Sequence, residues 1–430
     1  MHILALDVGT SAVKAAVLDA DTAAPVGPVV RVASPLDQPT PETATILPER
    51  LWEAVIAAGR EAAAGRRVEG LGISCLSPAL VLLGPDEDPV APIITHLDRR
   101  ARPEARAVWH DVGAEFLATT GNKPLPGGMT AVCYLHLRQQ DPALPARVRH
   151  YLHVNGWLGL RFSGTAAFDR GNACFTGLFD AMTTRAWSPR WCAYFGVPPD
   201  WLPPVVSGDV TLGPLRAEPA VLLGVPAGIP VKLGTADTSC AMLAAGMGPD
   251  DLLHVVGTTQ VLAVFTADPR PAVNRLTRYL GVGDDFIAVT HNPVGGVALD
   301  WMHALCFREQ SVDEFYRQTV PAALAHPTRV VLDPPFLGGD RLEIEARGAG
   351  FRELALATDR LDLLAAVLNA MRAHHDEALA ALGPPRTFRR VFLTGGGAEV
   401  VRRLLPAYAG PHVVELDEGS LRGVARLFSP

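Results

Sequence analysis

The chain has 430 residues, of which 48% are hydrophobic and 19% charged, and its formal net charge is −7. This balance excludes a disordered chain, and the negative sign argues against a broad nucleic-acid or anionic-membrane footprint. The length leaves room for about two to three domains with sizeable cores.

Two apolar runs at 3–6 and 13–18 flank Asp7-Val8-Gly9-Thr10-Ser11, which predicts a β-hairpin. Its turn offers a carboxylate, a glycine that lets backbone N–H groups approach an anion, and two hydroxyl donors. Asp7, ending a buried strand, is a candidate for holding a metal ion or its waters. An ordinary edge hairpin with a solvated turn is the plain alternative. A third strand is expected at 28–33, a Pro/Thr-rich loop at 38–47, a helix at 48–64 stopped by Gly65, and strands at 68–74 and 80–83. From 103 to about 204, helical stretches alternate with loops, and Trp157, Trp187, Trp191 and Trp201 supply bulk; this reads as an insertion on the first domain. Strand character returns at 205–213 and 230–234, and GTADTSCAMLAAGMG at 234–248 reads as a strand end, a short turn and a small-residue helix.

The next stretch, LLHVVGTTQVLAVFT at 252–266, repeats the opening hairpin. Placing Gly257 on Gly9 puts Thr258 on Thr10, Thr259 on Ser11, Val261 on Val13 and Ala263 on Ala15. Two copies heading two halves mark a duplicated domain. Asn292-Pro293-Val294-Gly295-Gly296 is a glycine turn before a further helix. A long helix is expected over 359–382, with Thr358 or Asp359 as its cap, Leu361, Leu364, Leu368 and Met371 on one face, and Gly383 as its end. A strand at 390–394 runs into Gly395-Gly396-Gly397, where the backbone can pass close to a flat or anionic ligand; alone, it is equally a plain strand–helix turn. The six cysteines are scattered, with neither a C-x-x-C pair nor a His/Cys ligand spacing, so buried reduced thiols of a cytoplasmic protein are expected. Neither a signal peptide nor a transmembrane run is expected.

In chain order, DVGTSAVKA at 7–15, GTADTSCAMLAAG at 234–246, GTTQV at 257–261 and LTGGGA at 393–398 resemble the motifs of the FGGY carbohydrate kinase family. LDRR at 97–100, FSGTAAFDRGNACFTGLFD at 162–180, GDRLEIEARGAGF at 339–351 and DEGSLRGVA at 417–425 extend the likeness, most closely to the xylulokinases, over nearly the whole chain. The resemblance implies an α/β fold of two duplicated actin-like (ribonuclease H-like) ATPase domains facing each other across a cleft. The expected division is 1–247, carrying the insertion and the sugar side, and 248–430, carrying the nucleotide side. The implied activity is transfer of the γ-phosphate of ATP, with Mg²⁺, to a hydroxyl of a sugar or polyol. D-xylulose or a related ketose is the first expectation, with glycerol or gluconate as alternatives.

By motif position, Asp237 is the general base, expected as a buried carboxylate pointed into the cleft. Asp7 would organise Mg²⁺. Gly9, Thr10 and Ser11 on one side, and Gly257, Thr258 and Thr259 on the other, would grip the phosphates, while Gly295, Gly395, Gly396 and Gly397 would accommodate the nucleotide. Lys14 either helps there or is a solvated edge residue. Sugar recognition departs from the family pattern. The Ser-Gly-Gln-Met-His-Gly segment of xylulokinase-like members is here Ser74-Cys75-Leu76-Ser77-Pro78-Ala79, which removes a glutamine and a histidine. Ser77 and Pro78 take the substrate-facing positions, with Asp98 and Asp237 as further substrate contacts. Asp98 either bonds sugar hydroxyls or pairs with Arg99 or Arg100, and Asp169 either lines the cleft or holds its own loop. The rewritten segment leaves two readings open, a changed substrate or a nucleotide- and sugar-binding protein with little turnover. An actin-like ATPase without a small acceptor is a third. The expected partner is a small sugar or polyol, without nucleic acid or membrane, and a homodimer is an assembly the resemblance allows.

Overall fold

The computed structural model describes residues 1–257, 260–337, 339–395, 397–405 and 412–428. Thr258, Thr259 and Gly396, three of the expected nucleotide-site residues, lie outside the described residues.

Two six-stranded sheets organise the chain. In the first, strand His2–Val8 pairs antiparallel with Ala12–Asp19, which pairs antiparallel with Val30–Ala33. On its other side His2–Val8 runs parallel to Gly70–Cys75, which runs parallel to Pro230–Ala236. The second sheet repeats this plan. Strand Asp251–Val256 pairs antiparallel with Gln260–Thr266, which pairs antiparallel with Phe286–Asn292. It is flanked on its other side by the parallel strands Arg390–Thr394 and His412–Glu415. Three antiparallel strands followed by two parallel ones, twice, is the architecture that the repeated Gly-Thr hairpin announces. Both central strands are covered on both faces, so they read as continuous apolar runs rather than alternating ones.

Helix Pro48–Ala63 covers the first sheet. Pro48 starts it with a fixed φ at a position that needs no N–H donor, and Leu51, Val55, Ala58 and Ala62 bury against the strands. Helix Arg360–Ala381 does the same for the second sheet. Asp359 caps it in a reciprocal capping box with Asp362, and Leu364, Leu368 and Met371 enter the core as their spacing requires. Residues 103–204 are largely helical, around an aromatic cluster in which Phe116 and Trp191 meet edge-on at 5.1 Å. The insertion is not purely helical, however. Strand His150–His153 pairs with Ala79–Leu83 in a five-stranded sheet that also holds Ile93–Thr95, Thr45–Ile46 and Leu36–Asp37. Two of those strands flank or enter the expected loop at 38–47; elements of two residues carry no readable period.

One element crosses the expected division at 247/248. Helix Gly419–Arg426 returns to the first half, where Leu421, Val424 and Ala425 pack on Ile3, Ala5, Ala16 and Leu18. It also lies against helix Asp237–Ala245 so closely that a Cβ at Gly423 would sit 1.9 Å from the carbonyl oxygen of Cys240. All six cysteines are unpaired, and five are buried. Among the described residues, no helix is long and apolar enough to cross a membrane.

Candidate active site

The ends of the two central sheets and the loops that follow them enclose a cavity of about 760 Å³. Asp237 enters it from the turn after strand Pro230–Ala236. The strand itself carries an irregularity at Gly234, where its register against Gly70–Cys75 shifts; the φ of Gly234 is +74° and a Cβ there would fall 1.6 Å from the carbonyl oxygen of Ile73. The chain then starts helix Asp237–Ala245 with the aspartate itself. Its Oδ1 accepts the Thr238 N–H at 2.6 Å and the Thr238 hydroxyl at 3.2 Å. Asp237 is exposed to the cavity, not buried as its small neighbours suggested, because the first residue of the helix projects past the sheet edge.

Asp7 is the buried carboxylate of the pair. Its Oδ1 accepts the Ser74 hydroxyl at 2.9 Å and its Oδ2 the Ser420 hydroxyl at 2.6 Å. Burial raises its pKa above the ordinary carboxylate value, an effect that Lys14 partly offsets and Asp237 reinforces. Lys14 is 3.8 Å from Asp7 and 3.1 Å from Glu418, and Arg31 pairs with the same Glu418. Lys14 therefore faces the cavity within a charged network and is not a solvated edge residue.

Thr10 and Ser11 line the cavity beyond a turn closed by the Gly9 N–H, which donates to the Ala12 carbonyl at 3.0 Å. Neither hydroxyl has a hydrogen-bond partner among the described residues. Gly257 lines the cavity from the second hairpin, and Gly395 from the strand beside it. The glycine run meets a neighbouring strand: a Cβ on Gly395, whose φ is +101°, would lie 2.4 Å from the Val256 carbonyl oxygen, and one on Gly397 would lie 2.7 Å from the Val256 side chain. Gly397 is thus a packing glycine behind the cavity wall. Gly295 caps helix Gly296–Cys306, whose Gly296 N–H donates to the Gly257 carbonyl at 3.2 Å, and Gly295 itself does not line the cavity.

On the substrate side, Ser77 and Pro78 line the cavity as expected, the Ser77 hydroxyl donating to Asn172 Oδ1 at 2.6 Å. Asp98 does not line it. Its carboxylate is buried and holds a loop together, accepting the Ala44 and Arg100 N–H groups at 3.0 and 3.1 Å and pairing with the Arg100 guanidinium at 2.8 Å. Asp169 is also structural; it accepts from Asn155, Asn172 and Thr235. The sequence reading missed His96, Arg99, Arg278, His291 and Arg341, all of which line the cavity. They come from four separate places in the chain, so no sequence motif gathers them. The only local signals were the arginines after Asp98 and Asp340. Burial, with Arg341 and Arg99 nearby, holds both imidazoles well below their usual range, His291 at about 3. Burial and Arg99 pull Arg341 down to about 10.

A duplicated ribonuclease H-like sheet, with a Gly-Thr hairpin in each half and an acidic pair in the cavity between, defines the actin-like ATPase fold. Within it, the chain belongs to the FGGY family of carbohydrate kinases, whose N-terminal domain matches residues 2–244. A putative sugar kinase of Bacillus subtilis is 27% identical over 53% of this chain and 46% of its own length. The L-xylulose/3-keto-L-gulonate kinase of Escherichia coli is 26% identical over 76% of this chain and 66% of its own. The chain thus spans about half to two thirds of these relatives. The xylulose kinase of Lactobacillus acidophilus superposes with a TM-score of 0.87 over 99% of this chain and 88% of its own, at 19% identity.

Proposed function

We propose that the protein is a kinase that transfers the γ-phosphate of ATP to a hydroxyl of a small sugar, polyol or sugar acid, with Asp237 as the general base. The observation that carries this reading is the position of Asp237. It is exposed to the cavity, and its charge is felt by Asp7 on one side and by Arg341 and Arg278 on the other. A hydroxyl placed against Asp237 can lose its proton to the free carboxylate as it attacks an in-line phosphoryl group. Gly9, Thr10, Ser11 and Gly257 would hold the phosphates, whose charge Lys14 and Arg31 would meet.

Magnesium fits the donor set. Asp7 is a buried carboxylate destabilised by its own burial, close to the exposed Asp237, and this cation is held by one or two carboxylates together with substrate phosphates and water. The metal would neutralise charge on the phosphates. Ser74 and Ser420 would keep Asp7 oriented toward it. The unpaired thiols fit a reducing compartment, and we place the protein in the cytoplasm.

Coupled ADP release over a panel of sugars, polyols and sugar acids tests the activity. Asp237→Asn keeps the oxygen that accepts from Thr238 and removes the base, so turnover should fall about 10²–10⁴-fold with ADP binding unchanged. Turnover within a few-fold of the parent removes Asp237 from that role. Acceptor and nucleotide binding by the parent without product would favour the binding-protein reading.

A further inference from the structure

We propose that Gln260, oriented by His254, is a positioning residue for the nucleotide phosphates, because it fixes the base of the second Gly-Thr hairpin; this rests on reading Gly257 as part of the phosphate site. Three polar side chains, His254, Gln260 and Asn292, are buried together beneath that hairpin. Strand pairing sets Gln260 opposite both Val256 and Asn292, and His254 stands two residues before Val256, so all three share one face of the sheet. Further along, the same face packs apolar side chains, Leu262 and Val264 among them, against helix Arg360–Ala381. That helix brings two partners to the polar layer. The His375 ring stacks on His254 at 5.2 Å, and the Met371 carbonyl accepts the Asn292 amide at 2.8 Å.

The fold does not require this layer. In the first sheet, built on the same plan, strand pairing puts Leu6, Val13 and Val32 at the corresponding positions, packed under helix Pro48–Ala63. Buried amides and imidazoles cost free energy unless their polar atoms are bonded, so an apolar set would serve packing at least as well. The two hairpins differ in a second respect. Asp7 and Lys14 face each other beside the first turn, whereas the pair at that place in the second is Val255 and Val261. The first hairpin therefore meets a ligand with charged side chains as well as with its turn. The second has no such pair, and its hold on a ligand depends on how firmly the turn itself is placed.

The bonds of the layer run to that turn with a fixed polarity. The Val294 carbonyl can only accept, and it takes the Gln260 Nε2 proton at 2.9 Å. Gln260 Oε1 must then face His254 Nε2, 2.8 Å away, so that nitrogen carries the proton of the ring. Burial keeps the ring neutral, holding its pKa at about 3 and that of His375 at about 4. Asn292 Oδ1 accepts the Val294 N–H at 2.9 Å, so both amides grip the same residue. Two residues further on, the Gly296 N–H donates to the Gly257 carbonyl at 3.2 Å. Gly257, in the cavity wall, is thus held from behind by a turn that hangs on Gln260 and Asn292.

Calorimetry with ADP and steady-state kinetics over ATP and the acceptor give the readouts. The double variant His254→Leu/Gln260→Val installs the side chains that the first sheet uses, so it should fold with a thermal midpoint close to that of the parent. Its ADP affinity should fall and its KM for ATP rise about ten-fold, with kcat and the acceptor KM changed less than about three-fold. Gln260→Met, which keeps the length and removes both bonds, should show the same split at a temperature where it is folded. Folded variants that match the parent in ADP affinity and ATP KM overturn the proposal. An equal loss for ATP and acceptor, or failure of both variants to fold, also overturns it, because the layer is then structural alone. A parent that binds ADP but turns over no acceptor refutes the phosphotransfer reading and leaves the ADP affinities to decide this one. A parent that binds no ADP refutes the phosphate site and this proposal with it.

Discussion

Gly423→Ala sets two effects of opposite sign against each other. Gly423 lies inside helix Gly419–Arg426, where alanine is intrinsically better than glycine by about 1 kcal/mol. Propensity alone therefore predicts a more stable protein. The new methyl group would lie 1.9, 2.3 and 2.6 Å from the O, C and Cα atoms of Cys240, all backbone, so no rotamer change relieves the clash. Restoring ordinary contact parts the two helices by roughly 1.5 Å and loosens Leu421, Val424 and Ala425 from Ile3, Ala5, Ala16 and Leu18. Such overpacking costs about 1–3 kcal/mol, with lost contacts adding to it, so the net expectation is destabilisation by about 1–3 kcal/mol. The same shift acts on the site, because one helix carries Ser420, which orients Asp7, and the other begins with Asp237. A displacement near 1 Å at reacting groups costs on the order of 10²-fold in rate. Urea unfolding at constant m-value and coupled ADP release, at a temperature where both proteins are folded, give the two readouts. A variant as stable as the parent and equally active refutes the packing account.

Two further outcomes concern the acidic residues. Because burial raises the Asp7 pKa, the folded protein binds that proton more tightly than the unfolded chain; the resulting stability is present below the unfolded value and is lost as pH rises through the raised folded one. Asp7→Asn should therefore flatten that pH dependence, raise the thermal midpoint of metal-free protein at neutral pH and abolish turnover; a lowered midpoint at pH 7 contradicts it. Glu418→Gln should leave Lys14 and Arg31 without their shared carboxylate and so tighten ADP binding several-fold at low salt, with the gain fading as salt is added. Weaker binding at low salt would mean that Glu418 serves to position Lys14.

The architecture was legible because its signal is repeated. Gly9 and Gly257 head hairpins whose flanking strands have the same apolar pattern, and the helix ends at Pro48, Asp359 and Gly383 follow from local chemistry. Asp7, Thr10, Ser11 and Asp237 sit in or beside motifs whose turns the backbone dictates, so they could be placed on the cavity before the fold was known. What was not legible depends on long-range pairing. Asp98 and Asp169 are chemically suited to a sugar site, and only their partners, the Ala44 N–H, Arg100, Asn155, Asn172 and Thr235, show that both are spent on structure. Gly397 looked like a ligand glycine because a close approach to a ligand and one to a neighbouring strand leave the same mark on a sequence, and Gly295 serves as a helix cap. The return of helix Gly419–Arg426 to the first sheet had no local signal.

The rewritten segment at Ser74–Ala79 takes on a different meaning beside the missed residues. Losing a glutamine and a histidine donor from a strand end would empty a sugar site of its polar contacts if nothing replaced them. Ser77 cannot do so with its proton, which is committed to Asn172, and Pro78 has no donor at all. Other polar side chains line the same cavity. His96 and Arg99 follow strand Ile93–Thr95, His291 lies near the end of strand Phe286–Asn292, and Arg341 stands on the loop after strand Val331–Pro335. These elements belong to both halves, so the polar lining of the cavity is drawn from both. Arg99 and Arg341 stand in the segments at 97–100 and 339–351 that resemble those of the xylulokinases, so they are family features and not newcomers. A decayed site gains no reason to keep unpaired arginines in a partly buried wall, where each is costly until an anion arrives. The altered segment is therefore better read as a change of acceptor than as a loss of one.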